Sequence, residues 1–216
     1  MFFKAVIFDM DGTLIDAADG IADSMNHVLK LNHLPSHPVK EYINWIGDGM
    51  ENLVISALPS DKREDTFINK CVAEMKVAYS DMWMIKTHLY PGIAELLTNL
   101  RQLNLKLAVL SNKPNKFTRI ITDKLLAKWN IDIVIGHRKG IPRKPDPTTA
   151  LEIAQLLGLD PEAFIYMGDS STDIKTAIHA GMYPVGVSWG YRSAESLIES
   201  GAQKIINEPK ELLYKI

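Results

Sequence analysis

Phe3-Lys4-Ala5-Val6-Ile7-Phe8-Asp9-Met10-Asp11-Gly12-Thr13 decides how this chain is to be read. Its first six residues are a short, mostly apolar run, the pattern of a strand buried on both faces. The run stops at two carboxylates spaced i, i+2 and then a glycine. Carboxylates at the end of a buried strand are costly unless something there calls for negative charge or a nucleophile. The glycine permits a sharp turn and leaves backbone groups open to a ligand. The stretch reads as a metal-assisted phosphoryl-transfer site carried on a buried strand.

Beyond Thr13 the period changes. Ile21, Met25, Val28 and Leu29 recur at helical spacing, as do Ile43, Ile46, Met50, Leu53 and Val54 across a glycine-containing break. Phe67, Cys71, Met75, Ala78, Met82 and Ile85 form the longest apolar stripe. Pro35, Pro38 and Pro59 punctuate these segments, and no strand is expected between Ile15 and Met84. From Leu89 strands and helices alternate. Strands are expected at 106–110, 131–135, 164–167, 184–187 and 204–206, and helices at 91–103, 114–126, 147–157, 171–180 and 193–200. That alternation implies an α/β fold, a doubly wound, Rossmann-like parallel sheet covered on both faces. Residues 1–15 and 88–216 are expected to form this core, and 16–87 an all-helical insertion after the first strand.

Composition narrows the partners. A chain of 216 residues accommodates one large domain or a core with an insertion, and 46% hydrophobic residues suffice to fill it. A net charge of -2 offers no dense cationic surface, so nucleic acid is not expected as a partner. One cysteine, Cys71, excludes an intrachain disulfide and a cysteine-based zinc site; its helical setting suggests a small apolar role. No apolar run approaches the ~18 residues of a membrane span. The N-terminus lacks the charged, long-apolar and small-residue pattern of a secretion signal. The expectation is a cytoplasmic protein without a membrane partner, monomeric or homodimeric.

Three apolar strands end in chemically capable residues: Ile7-Phe8-Asp9, Val109-Leu110-Ser111-Asn112-Lys113, and Met167-Gly168-Asp169-Ser170-Ser171-Thr172-Asp173. In open parallel sheets ligands bind beyond the carboxyl ends of the strands. Asp9, Asp11, Asp169 and Asp173 are therefore expected to meet there. Two unit charges ~4 Å apart repel by roughly 4 kcal/mol at an effective dielectric near 20. Such a cluster, with a phosphate dianion added, needs cations. The candidate ligands are all oxygens, which suits Mg²⁺. Lys144, in Arg143-Lys144-Pro145-Asp146-Pro147, is the natural second cation. Asp9, on the rigid strand, is the expected nucleophile, splitting a difficult reaction into two easier steps. Asp11 is the expected acid for the leaving alcohol and then the base for water. Ser111, with Asn112 and the backbone amides after it, is expected to hold phosphate oxygens, and Lys144 to balance their charge.

With these motifs in order, the chain resembles the haloacid dehalogenase superfamily of phosphohydrolases. Asp9-Met10-Asp11-Gly12-Thr13 is similar to its first motif, Ser111 to its second, Lys144 to its third, and Gly168-Asp169 with Asp173 to its fourth. The resemblance implies that Asp9 is nucleophile and metal ligand, and that Asp11 also binds Mg²⁺ through its backbone carbonyl. Asp169 would be a direct ligand, and Asp173 would bind the metal or brace a ligand. The helical insertion would be the family's cap, and the substrate a small phosphorylated metabolite. Trp45–Val54, Leu110–Pro114, Arg143–Pro147, Gly181–Val187 and Trp189-Gly190-Tyr191 resemble segments of the phosphoglycolate phosphatases within that superfamily. One departure is visible: the family often has serine soon after Asp16, where Ala17 and Ala18 stand here.

Other readings share parts of this pattern. Inorganic pyrophosphatases, sugar-phosphate phosphatases and phosphomutases of the superfamily would carry the same core motifs. A dehalogenase would lack Asp11. A phosphate-accepting signalling receiver also gathers aspartates, a hydroxyl and a lysine around Mg²⁺, but is roughly half this length and has no insertion. Within the chain, Ser111 also suits helix capping ahead of Pro114, and Asp173 suits a cap or an ion pair. Gly47-Asp48-Gly49 reads either as a helix break or as a cap loop that inspects substrate. Met75, Met82, Trp83 and Met84 read as packing, and Arg192 as a surface residue. His33 and His37 are four apart, but Pro35 between them argues against a helical metal pair.

Overall fold

The computed structural model describes residues 3–215. The chain divides into two compact units, Met1–Ile15 with Leu89–Ile216, and Asp16–His88. The outermost core limits expected from sequence, residues 1 and 216, lie outside the described residues.

In chain order the elements begin with β1 (Ala5–Phe8) and β2 (Ile15–Asp16). Four helices come next, α1 (Ala18–Leu31), α2 (Val39–Trp45), α3 (Met50–Ala57) and α4 (Asp65–Lys86), and then β3 (His88–Leu89). After them stand α5 (Ile93–Gln102), β4 (Lys106–Pro114), α6 (Asn115–Leu125), β5 (Ile133–His137) and α7 (Thr148–Leu157). The chain finishes with β6 (Phe164–Gly168), α8 (Ser171–His179), β7 (Tyr183–Val187), α9 (Ala194–Glu199) and β8 (Lys204–Ile206).

The larger unit is a six-stranded sheet in the order β5-β4-β1-β6-β7-β8, parallel throughout. The chain leaves β1 for β4 and β5 on one side, then returns to build β6, β7 and β8 on the other. The order therefore reverses at β1, the place at which open parallel sheets bind ligands beyond their strand ends. Register is tight there: Phe8 lies level with Val109 on one neighbour and Met167 on the other. All four β1 residues are fully buried. Ala5 and Ile7 join Ala108, Leu110, Phe164 and Tyr166 in a core layer against Ala150 and Ile153 of α7 and Ala177 of α8. Each large apolar side chain so buried contributes about 1.5–3 kcal/mol. That packing makes β1 a rigid platform for the polar residues at its carboxyl end.

The smaller unit is helical. Ile21, Met25, Val28 and Leu29 form the buried stripe of α1, and α1 packs on α4. Gly20 permits the close approach, since a Cβ there would lie 3.2 Å from the Trp83 carbonyl oxygen. Asn26 exchanges two 2.9 Å hydrogen bonds with the backbone of His37 and accepts a third from the Tyr42 hydroxyl at 2.7 Å. His37 faces Glu41 at 2.9 Å, not His33.

Three expectations need adjusting. Two-residue strands β2 and β3 pair with each other; β2 lies where helix alone was expected and β3 where no element was, because strands this short carry no readable alternation. The buried face of α4 runs through Ile68, Cys71, Met75, Ala78, Tyr79 and Trp83; Ile85 is 73% exposed at the helix end and Met84 is also exposed. α5 starts at Ile93, not Pro91, because Gly92 takes a left-handed conformation (φ +83°). No helix among the described residues is long and apolar enough to cross a membrane.

Candidate active site

Asp9 leaves β1 with its amide still bonded to the Met167 carbonyl at 2.9 Å, so the rigid sheet extends to the carboxylate. The Lys144 ammonium donates to Asp9 Oδ1 at 2.7 Å, Asp173 Oδ1 at 2.6 Å and the Leu110 carbonyl at 3.2 Å. Those bonds use all three of its donors. Asp9, Asp173 and Lys144 are all buried. Removing one partner of such a buried pair typically costs about 3–5 kcal/mol.

Asp173 divides its two oxygens. While Oδ1 meets Lys144, Oδ2 accepts from the Ser170 amide at 3.1 Å and the Ser170 hydroxyl at 2.5 Å. Ser170 Oγ in turn accepts the Asp173 amide, closing a reciprocal cap at the start of α8. Asp173 thus both caps a helix and pairs with Lys144. Asp169 is held from two sides: Thr13 Oγ1 donates to Oδ1 at 3.2 Å and the Tyr191 amide to Oδ2 at 2.8 Å. Thr13 is itself tethered, its carbonyl accepting from Trp189 Nε1 at 3.1 Å.

Oxygens of Asp9, Asp169 and Asp173 lie within 4.8 Å of one another, all buried. The electrostatics show the strain of that gathering. Burial, then the charge of Asp173, pushes Asp9 well above the usual carboxylate range despite Lys144. Burial and Asp173 push Asp169 up to about 7, against the Tyr191 amide, Arg192 and Lys144. Burial disfavours the Lys144 charge, but Asp173 and Asp9 outweigh it and hold the ammonium well above the usual lysine range. With all three carboxylates ionised, one ammonium would leave two negative charges, the deficit a divalent cation fills. The donor set is entirely oxygen, as a hard cation prefers. The residues fit a divalent metal, which Asp9, Asp169 and Asp173 could hold.

The ladder between β4 and β5 slips between Leu110 and Pro114, and Ser111, Asn112 and Lys113 sit buried in that irregular stretch. Bulges of this kind re-aim side chains next to active sites. The Asn112 amide exchanges bonds with the Lys144 backbone, Nδ2 to the carbonyl at 3.2 Å and Lys144 N to Oδ1 at 2.9 Å. Asn112, expected to hold phosphate, is engaged through its side-chain amide with the loop that carries Lys144. Ser111 Oγ accepts the Lys113 amide at 3.2 Å, and α6 has no side-chain cap. Lys113 Nζ lies 2.5 Å from Asp11 Oδ2, while Asp11 Oδ1 is buried without a hydrogen-bond partner.

Of the residues singled out from sequence, Asp9, Asp169, Asp173 and Lys144 are brought into one cluster, and Asp11 is paired to Lys113 beside it. Sequence reasoning passed over Lys113, Thr13 and Tyr191. Lys113 stands two residues after Ser111 in a segment already suspected. Tyr191 contributes through its amide, for which side-chain type is no signal. Glycines make room: a Cβ at Gly190 would lie 2.2 Å from Asp169 Cβ, and one at Gly12 would lie 2.3 Å from Asp169 Oδ2.

The arrangement presents a buried, lysine-oriented carboxylate suited to act as a nucleophile, a neighbouring carboxylate with an unpartnered oxygen, and an anionic nest that could take a cation. Comparison with known proteins agrees in kind. The profile of the haloacid dehalogenase-like hydrolases matches residues 6–187. A phosphoglycolate phosphatase of Salmonella paratyphi A is 31% identical over 97% of this chain and 91% of its own length. One from Pseudomonas putida is 28% identical over 97% and 78%. A crystal structure of a provisionally assigned phosphoglycolate phosphatase from Lactobacillus delbrueckii subsp. bulgaricus superposes with a TM-score of 0.92 at 31% identity, covering 100% of this chain and 99% of that one.

Proposed function

We propose that this chain, which belongs to the haloacid dehalogenase-like hydrolase family and is a phosphatase, hydrolyses phosphoglycolate through a phosphorylated Asp9 with Mg²⁺ as its metal. The observation that carries the reading is the Asp9 carboxylate, buried at the end of β1 and held at 2.7 Å by Lys144. A nucleophile so placed needs no reorganisation to meet a phosphorus atom in the crevice. The relatives named as phosphoglycolate phosphatases, aligned over nearly the whole chain, support the substrate.

In the first half-reaction an Asp9 oxygen attacks phosphorus, the ester P–O bond breaks, and the departing oxygen takes a proton from Asp11. In the second, water attacks the phosphorus of the aspartyl phosphate and gives a proton to Asp11. Inorganic phosphate leaves and Asp9 is regenerated. Splitting the reaction this way replaces one very slow hydrolysis by two easier steps. Lys144 keeps Asp9 oriented and offsets charge on the phosphoryl oxygens, while Ser111 and nearby amides receive them. Asn112 acts by holding the Lys144 backbone. Asp9, Asp169 and Asp173 would hold Mg²⁺, which would supply charge neutralisation to the site.

The test is a panel of esters with Mg²⁺. Phosphoglycolate is expected to give the highest kcat/KM, above pyrophosphate and hexose phosphates, and Asp9→Asn to abolish turnover. A higher value on pyrophosphate or a hexose phosphate would displace phosphoglycolate, and turnover by Asp9→Asn would displace the mechanism.

A further inference from the structure

Lys113 is a buried lysine, 8% exposed, that the two half-reactions do not use. Burying an ammonium is expensive unless the charge has a purpose, and its visible partner is Asp11, 2.5 Å away through Oδ2. Lys144, the other cation of the site, has all three donors committed to Asp9, Asp173 and Leu110. The two lysines therefore divide the site. Lys144 serves the phosphoryl end and Lys113 the end at which Asp11 stands.

Asp11 is the group that meets the leaving oxygen. Its Oδ1 is buried and without a partner, so that oxygen is the one left for the ester oxygen to dock on. Lys113 sits on the other oxygen of the same carboxylate. Leaving oxygen and ammonium are then each within about 2.8 Å of one carboxylate, the ordinary length of a charge-assisted hydrogen bond. With the ester oxygen on Oδ1 and the ammonium on Oδ2, a substituent one carbon from the ester oxygen would come within reach of Lys113. A neutral substituent there would leave the ammonium uncompensated by substrate, whereas an anionic one meets it.

We infer that Lys113 selects the leaving group, receiving a carboxylate carried one carbon from the ester oxygen. This rests on the phosphatase reading and assigns its substrate class to a side chain. Loss of a hydrogen bond to a charged group at such a contact weakens recognition about 10- to 100-fold.

The experiment compares kcat/KM for phosphoglycolate with that for 2-hydroxyethyl phosphate, an ester of equal length whose leaving group carries a neutral hydroxyl in place of the carboxylate, in the wild type, Lys113→Met and Lys113→Arg. The wild type is expected to prefer phosphoglycolate. Lys113→Met should reduce that preference about 10- to 100-fold, chiefly through KM, and Lys113→Arg should restore part of it. Lys113→Gln repeats the measurement if the Met variant does not fold. Equal losses on both esters would mean that Lys113 serves only Asp11, and the inference would fall while the substrate assignment stood. A wild type without preference would remove both.

Discussion

Asn112 and Lys144 are bound to each other through a side-chain amide and a backbone: Lys144 N donates to Asn112 Oδ1 at 2.9 Å, and Asn112 Nδ2 donates to the Lys144 carbonyl at 3.2 Å. The pair imitates a step of β-ladder between segments 32 residues apart. Its effect is to hold the loop so that the Lys144 ammonium reaches Asp9 and Asp173. Asn112→Ala is therefore expected to lower kcat by roughly 10- to 100-fold, since small misplacement of a reacting group has effects of that order. Circular dichroism of the variant should match the wild type. A kcat within a factor of two of the wild type would show that the loop is held by other means.

Metal binding should be visible without turnover. A cation that binds only the folded chain stabilises it by about 2.7 kcal/mol at 100 times its dissociation constant. For a protein of this length that corresponds to a rise in melting temperature of about 5–10 °C. Asp169→Asn removes one of three buried like charges, so in chelator the variant should be no less stable than the wild type. Its increment with Mg²⁺ should be lost. An undiminished Mg²⁺ shift in Asp169→Asn would place the metal elsewhere.

The sheet was legible because β1, β4, β6 and β7 are apolar runs bounded by turn residues, and their chemistry stands at their ends. Asp9, Asp11, Asp169 and Asp173 could be expected together from topology alone, since parallel strands deliver their carboxyl ends to one edge, and Lys144 was added as the cation that such a cluster calls for. The features that resisted reading have identifiable causes. The slip in β4 re-aims Asn112 and Lys113, and no residue type announces whether an amide will meet a ligand or a backbone. The hold on Asp169 comes from the Tyr191 amide, which any residue supplies. Strands β2 and β3 are too short for a period to show.

Acid should weaken the edge of the sheet through Asp132. Burial opposes its charge, but the Leu107 amide at 2.9 Å, Lys106 at 3.0 Å and Arg101 at 2.8 Å prevail and hold the carboxyl below its ordinary value. A carboxylate with a depressed folded-state value adds stability that is complete above its unfolded value, near 3.9, and disappears as pH falls through the folded one. Asp132→Asn should thus cost about 1–2 kcal/mol between pH 6 and 8. The difference should shrink below about pH 4. Urea midpoints across that range read it directly, and a gap that stays constant into acid would remove Asp132 from the account.

Gly190 offers a purely steric test of the proposed metal nest. Its backbone is not in the left-handed region, yet a Cβ would lie 2.2 Å from Asp169 Cβ and 2.4 Å from the Gly12 carbonyl oxygen. Neither neighbour is the flexible end of a long side chain, so Asp169 must move. Gly190→Ala is then expected to abolish the Mg²⁺-dependent rise in melting temperature and to reduce kcat/KM by at least about 100-fold, as for other displacements of a reacting centre. Gly140→Ala is the control, since nothing lies within 4 Å of its Cβ position and only its positive φ is penalised. That variant should lose about 1–2 kcal/mol of stability and keep its response to Mg²⁺. If Gly190→Ala retained a full Mg²⁺ response, the close packing around Asp169 would not be what shapes the site.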